Sequence, residues 1–195
     1  MRFAGQAGHA SDSTALAGSA VHQAIRWGAA ALEFAASQAH LRFGGLTGLR
    51  FNIGRVEGGI KANVVAPDAD LRFGFRPLPS QDIDALHGHF RGLAGTAAGL
   101  VYEEAFRGPQ LPCGNVASAE TRRLAARDLA DDLDLPIGNA VDFWTEASLF
   151  SRAGLVALVF GPGDIAQAHT SNEWVSLAEL ERARMVLLKF LQSLP

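Results

Sequence analysis

The sequence predicts an α/β protein made of a ferredoxin-like α+β unit followed by an incomplete α/β layer. Three observations carry this. The order strand, helix, strand, strand, helix, strand runs to Phe106 and is that of one antiparallel sheet with both helices on one face. A Pro/Gly-rich crossing from Gly108-Pro109 to Gly114 then marks a boundary. Beyond it lie two helices and two short strand candidates, fewer strands than the five or so of an ordinary sheet. The expected ranges are 1–107 for the first domain and 108–195 for the second.

Arg2-Phe3-Ala4-Gly5-Gln6 reads as a strand ending in a loop, with no leader, cap or preceding turn, so the chain is expected to begin inside a fold and to use Met1 as an internal methionine. Thr14 to Gln38 is rich in Ala, with Val21, Ile25, Leu32 and Phe34 among small residues. This suits one long helix packed closely on a sheet and capped from Ser11 to Ser13. Gly48 to Val56 alternates Leu49, Phe51, Ile53 and Val56 with Arg50, Asn52 and Arg55, a half-buried strand closed at Gly58-Gly59. Val64-Val65 and Ala69 to Arg76 form the next strand region, stopped by Pro77 and Pro79 because proline has no N–H to donate to a ladder. Ser80 is placed to cap a second helix reaching about Leu93, and Leu100 to Phe106 returns as the last strand of the unit.

In the second part, Glu120 to Leu133 reads as a helix with Arg122, Arg123 and Arg127 on its solvent side. Leu155 to Phe160 is wholly apolar between Gly154 and Gly161, the pattern of a strand buried on both faces. A last helix runs from about Ser176 to Leu191. Lacking layer partners, this strand and helix are expected to expose an apolar patch.

The 195 residues carry a formal charge of -3 and 48% hydrophobic residues, with a pI near 6.0. No broad basic field exists for nucleic acid. No apolar run approaches the roughly 20 residues of a membrane span. Cys113 is the single cysteine, so neither an intrachain disulfide nor a cysteine zinc cluster can form. A cytoplasmic protein with small-molecule or protein partners is expected.

Chemistry concentrates in Phe160-Gly161-Pro162-Gly163-Asp164-Ile165-Ala166-Gln167-Ala168-His169, with Glu173-Trp174 close behind. Glycines after a strand allow close backbone approach to an anion, and His169 offers an imidazole of the kind zinc favours. On the residues alone, a surface loop with a solvated histidine is the better reading of the string.

That string resembles the end of acetylornithine deacetylases, within the wider zinc aminoacylase, succinyl-diaminopimelate desuccinylase and carboxypeptidase family. Further stretches are similar in the family's order: Gly5-Gln6-Ala7-Gly8-His9-Ala10-Ser11, Asn52 to Gly59, Ala62-Asn63-Val64-Val65-Ala66-Pro67, Arg76-Pro77-Leu78-Pro79 and Thr145-Glu146-Ala147. The resemblance covers essentially the whole chain. It implies a dimerisation lid over 1–107, then the C-terminal portion of a zinc-peptidase-like catalytic domain. The implied activity is hydrolysis of an N-acetyl amino acid to acetate and the free amino acid, as in arginine biosynthesis. Two zinc ions serve the complete enzyme, with cobalt as a possible substitute, and the partner is a second copy joined through the lid.

Residue by residue, the resemblance makes His169 a zinc ligand and His9 a donor reaching into the partner subunit's site. A donor aimed at a developing oxyanion is worth roughly 3 kcal/mol. Asn63 is expected beside His9, with an amide for substrate, and Arg76 as a bidentate clamp on the α-carboxylate. Gly161 and Gly163 would shape the pocket floor. Glu146 would stand near the metal or the substrate, although a carboxylate at a helix start is common for dipole reasons alone. Asp142-Phe143-Trp144-Thr145-Glu146 resembles most closely a sub-branch acting on N-acetylcitrulline, and an aromatic there, where many members have a small residue, would reshape the pocket.

The family's His-x-Asp, bridging Asp and Glu-Glu general-base pair have no counterpart here. Glu103-Glu104 lies in the expected last lid strand, where alternation sends the two carboxylates to opposite faces. Asp131, Asp132 and Asp134 fall at a helix end, and His87 and His89 on different helix faces. One inherited ligand is short of the three that catalytic zinc takes, so hydrolysis is expected to need the missing half. A non-catalytic dimerising or substrate-binding module is the alternative.

Overall fold

The computed structural model describes residues 1–96 and 98–193; Ala97 and residues 194 and 195, inside the two expected domain ranges, lie outside the described residues. Two compact units emerge. The first is Met1–Gln110 together with Asn139–Trp144, and the second is Leu111–Gly138 with the chain from Thr145.

In the first unit, β1 (Arg2–Ala4), β4 (Arg50–Gly58) and β5 (Asp68–Arg76) form an antiparallel sheet in the order β1-β5-β4. Val101 bridges to Arg2 on the free side of β1, through N–H···O bonds of 2.8 and 3.0 Å. Counting that bridge as the fourth strand, the order is that of the expected ferredoxin-like unit. A small hairpin of β2 (Arg42–Phe43) and β3 (Leu46–Thr47) precedes β4.

The expected long helix is broken into α1 (Ser13–Ala17) and α2 (Ala20–Ser37). Asp12 caps the first and Ser19 the second, each accepting an N–H from the opening turn. Gly18, whose N–H closes α1 onto Ala15 O, turns the chain between them. The buried stripe of α2 is Ala20, Ala24, Trp27, Gly28, Ala31 and Ala35, while Ile25 and Leu32 stand 60% and 51% exposed. Small residues bring the helix axis close to the sheet: a Cβ on Gly28 would lie 3.2 Å from Ile53 Cδ1. Trp27 fills the centre, within 4.9 to 6.5 Å of the Phe3, Phe51, Phe73 and Phe90 rings. Its indole N–H donates 2.7 Å to Phe90 O, so the buried polar atom is satisfied.

The second helix, α3 (Ile83–Gly92), starts at Asp82 instead of Ser80, because the Asp82 carboxylate accepts the N–H groups of Asp84 and Ala85. The expected strand from Leu100 to Phe106 shrinks to the single Val101 bridge. Tyr102 to Arg107 runs past the end of the three-residue β1 and is held by side chains. Tyr102 Oη stands 2.8 Å from His87 Nδ1. Arg107 ties Glu104 to Asp84, and the Arg91 guanidinium lies 5.1 Å over the Tyr102 ring. Burial raises Tyr102 to about 12 and lowers His87. The phenol therefore keeps its proton, and Tyr102 Oη and His87 Nδ1 share one hydrogen bond.

In the second unit, α4 (Val116–Asp132), α5 (Ala147–Arg152) and α6 (Leu177–Ser193) surround little apolar interior. Among the described residues its buried hydrophobics are Ala119 and Ala130. Arg122 donates to Cys113 O, and Lys189 pairs with Asp134. The expected buried strand is not formed. Leu155, Val156 and Val159 are 57%, 46% and 47% exposed, because a strand of that kind needs neighbours on both edges and layers on both faces, and none stands there among the described residues. Leu177, Met185, Leu187 and Leu191 of α6 are exposed as well, giving the expected apolar patch. No described helix is long and apolar enough to cross a membrane.

Candidate functional site

The His9 loop leaves β1 through Gly5. A Cβ there would meet Gly18 O at 2.3 Å, and Ala20 N and Ala66 O at 2.8 Å, so only glycine lets β1, the helix break and the 64–67 segment converge. His9 then bridges Val64, with Val65 N–H on Gly8 O at 2.8 Å and Ala10 N–H on Asn63 O at 3.2 Å. The structure thus puts His9 and Asn63 side by side at one end of the sheet, both exposed to solvent at least in part. Ser11 sets the imidazole: its N–H donates to Nδ1 at 3.3 Å and its hydroxyl lies 2.7 Å from the same nitrogen. An Nδ1 that accepts leaves the hydrogen on Nε2, pointing outward as a donor. In the sequence Ser11 is marked by its place in the motif and as one end of the expected Ser11–Ser13 helix cap, a task that Asp12 performs instead.

Arg76 stands at the opposite end of β5, eight strand steps from Asp68, roughly 27 Å at 3.4 Å per residue. Its guanidinium donates to Phe75 O at 3.3 Å and lies over Gly74, whose missing side chain leaves the room. Arg76 is therefore not brought to His9 and Asn63 within one lid. Its cross-strand partner is Arg50, which donates to Asp142; Asp142 opens the Asp142–Glu146 stretch singled out in the sequence, but Arg50 does not stand out there, since the contact joins positions 92 apart.

In the second unit, Gly163 takes φ 94, a left-handed turn suited to glycine, with Val175 3.4 Å from where a Cβ would be. A Cβ on Gly161 would meet nothing within 4 Å. Asp164 caps the short 3-10 turn Ile165–Gln167 through Ala166 N–H. His169 follows at φ 62, uncommon for a residue with a side chain, and its N–H donates to Glu173 Oε2 at 3.1 Å. Glu146 immediately precedes α5, where its carbonyl accepts Leu149 N–H at 2.8 Å while Thr145 Oγ1 accepts Ala147 N–H at 3.2 Å. Among the described residues no hydrogen bond or ion pair links Glu146 to His169.

A catalytic zinc takes three protein ligands. Among the described residues no group of three or more His, Cys, Asp or Glu could hold a metal ion, and the carboxylate nearest His169 in sequence on its C-terminal side is engaged with its backbone. The residues present offer one imidazole and do not by themselves fit a zinc site.

Residues 1–99 match the family described as the peptidase dimerisation domain. The chain is 69% identical over 182 residues to N-acetyl-L-citrulline deacetylase of Xanthomonas campestris pv. campestris, a match covering 93% of this chain and 50% of that protein. It is 32% identical over 142 residues to acetylornithine deacetylase of Myxococcus xanthus, covering 71% of this chain and 36% of that one. The chain thus spans half or less of the length of these curated relatives. Among solved structures, aminopeptidase PepT from Bacillus cereus gives a TM-score of 0.58 at 17% identity, covering 98% of this chain and 49% of that one. A tripeptidase from Staphylococcus aureus gives 0.53 at 19%, with the same coverage. At these identities the structural likeness is one of fold.

Proposed function

The chain belongs to the peptidase dimerisation-domain family, and from that membership we propose that it is the lid and C-terminal portion of a metal-dependent N-acetyl-amino-acid deacetylase. The favoured substrate is N-acetyl-L-citrulline, with N-acetyl-L-ornithine as the alternative; the relative at 69% identity supports the first choice and the one at 32% the second. The reaction is hydrolysis of the amide to acetate and the free amino acid.

The observation that carries the proposal is the placing of His9 beside Asn63 at one end of the lid, through the His9–Val64 bridge and the Ala10 N–H on Asn63 O, with the His9 Nε2–H directed outward by Ser11. Such a donor stabilises the oxyanion that forms as the acetyl carbonyl is attacked, worth about 3 kcal/mol. Arg76, with its planar fork, takes the substrate carboxylate. The roughly 27 Å along β5 between the two ends exceeds the length of an N-acetyl amino acid, so one substrate cannot touch both in a single lid. Two copies joined through the lid resolve this, each lending His9 and Asn63 to the other's site. Edge strand β4 and the exposed Ile25, Leu32 and Val56 supply unpaired backbone and apolar surface for that contact. His169 would contribute one imidazole to a metal; the other ligands must come from outside the described residues, and no metal-borne step follows from this chain.

The reading is tested by mixing the chain with the Xanthomonas campestris enzyme inactivated at its residue matching His9, then assaying N-acetyl-L-citrulline hydrolysis. Mixed dimers should regain activity, and His9→Ala in this chain should abolish the gain. Mixed dimers demonstrated by sedimentation but without regained activity would overturn the role of His9 and favour a second reading, a non-catalytic dimerising module. That reading draws support from the contrast between the well-packed lid and the second unit's sparse interior.

A further inference from the structure

Arg50 and Arg76 are direct partners at the far end of the β4–β5 ladder. Their neighbours Phe51 and Phe75 face the helices, with ring centroids 5.0 and 5.1 Å from that of Phe90. Alternation therefore sets both arginines on the open face of the sheet, with Cβ atoms about 5 Å apart. Like charges placed opposite one another repel. One is compensated here, because Arg50 Nε donates to the Asp142 carboxylate. Arg76 has no carboxylate partner among the described residues.

Asp142 lies in the segment Asn139–Trp144, which packs with the lid although it follows α4 in sequence. Three contacts seat it. The Ala140 methyl occupies space 2.8 Å from where a Gly45 Cβ would be, Asp142 holds Arg50, and Trp144 lies on Gly108, edge-on to Phe106 at 5.0 Å. A Cβ on Gly108 would come within 1.9 Å of Trp144 Nε1, so the indole rests directly on backbone.

We propose that Asp142 is a specificity-determining residue. By neutralising Arg50 it leaves Arg76 as the uncompensated cation of this cross-strand pair, and so selects N-acyl amino acids bearing a single carboxylate over those bearing two. This rests on Arg76 being the carboxylate clamp of the deacetylase. With Asp142 in place, the three side chains sum to a single positive charge, matched to an α-carboxylate and a neutral side chain such as a ureido group. Without its charge, Arg50 becomes a second cation on the same face, on a side chain whose Cβ lies about 5 Å from that of Arg76, where it can take the second carboxylate of a glutamyl residue.

The test titrates the isotopically labelled chain, at low ionic strength, with N-acetyl-L-citrulline and with N-acetyl-L-glutamate, following the Arg76 and Arg50 Nε–H resonances by NMR. In Asp142→Asn the affinity ratio of N-acetylglutamate to N-acetylcitrulline should rise roughly threefold to tenfold, as expected of one added charge at a half-exposed site. In Arg50→Gln, which leaves Asp142 as an anion beside Arg76, the ratio should fall below wild type. A general loosening of the segment would move both variants the same way. The Trp144 indole resonance reports whether each variant keeps the segment seated. Unchanged ratios, or both shifting together, while Arg76 still responds to both ligands would overturn the role of Asp142 and leave the clamp standing. No Arg76 response to either ligand in the wild type would overturn the clamp and this proposal with it.

Discussion

Replacing Gly5 by alanine should destabilise the lid by about 2–6 kcal/mol and displace the His9 loop. The added methyl would meet backbone on three sides, 2.3 Å from Gly18 O and 2.8 Å from both Ala20 N and Ala66 O. None of these is a side chain able to swing away, so a segment must shift by roughly 1 Å. Overpacking of this kind costs about 1–3 kcal/mol. The shift also strains a short network: Gly5 N–H on Pro67 O at 2.7 Å and Ala20 N–H on Ala66 O at 3.0 Å. Ala20 and Ala66 are both buried, so a bond lost there leaves unsatisfied groups at about 1–3 kcal/mol. Urea unfolding followed by far-UV circular dichroism gives the stability, and amide resonances of Gly8, His9 and Val65 report the loop. A change below about 0.5 kcal/mol, the range of ordinary surface substitutions, with unmoved resonances would refute the convergence of backbones at Gly5.

Gly88→Ala tests the opposite sign. Gly88 sits inside α3, and a Cβ added to it would meet nothing within 4 Å, so alanine should stabilise by about 0.5–1 kcal/mol, read as a higher urea midpoint. His87 should make the lid pH-sensitive. Burial lowers its pKa in the folded chain below the usual 6.5, so the unfolded chain binds the proton more readily. The stabilisation is complete above pH 6.5 and is lost as the pH falls from there through the folded value. The slope of stability against pH in that window should flatten in His87→Gln; an unchanged slope would show that another group carries it. Trp27→Phe should cost about 2–4 kcal/mol, since it removes buried ring volume and the donor to Phe90 O, which is checked by the same urea unfolding.

Much of the lid was legible in the residues. Alternation over Gly48 to Val56 yields β4, Pro77 and Pro79 end β5 at Arg76, and the small residues of Ala20 to Ser37 yield a helix lying close on the sheet. The motif around His9 and that around Asn63 are both visible along the chain, and the fold brings them into contact. The misreadings share a cause. Ala-rich sequence from Thr14 to Gln38 looks like one helix because propensity sums smoothly, whereas Gly18 and the Ser19 cap divide it. Ile25 and Leu32 look like core by hydrophobicity, yet the sheet accepts the alanine face, since closeness of approach is decided by the smallest side chains.

Local preferences are written in the residues: which stretches alternate, where the chain turns, which side chains can cap, and which family the motifs resemble. Tertiary structure alone decided that Tyr102 to Arg107 is held by His87, Asp84 and Arg91 instead of a ladder, that Leu155 to Phe160 pairs with nothing described, and that Asp142 meets Arg50. It also decided that Arg76 stands at the other end of β5 from His9 and Asn63. Turns, caps and alternation arise from interactions a few residues apart. Strand pairing and ion pairs depend on which distant segment is present to satisfy a backbone edge or a charge, and no local pattern encodes that presence.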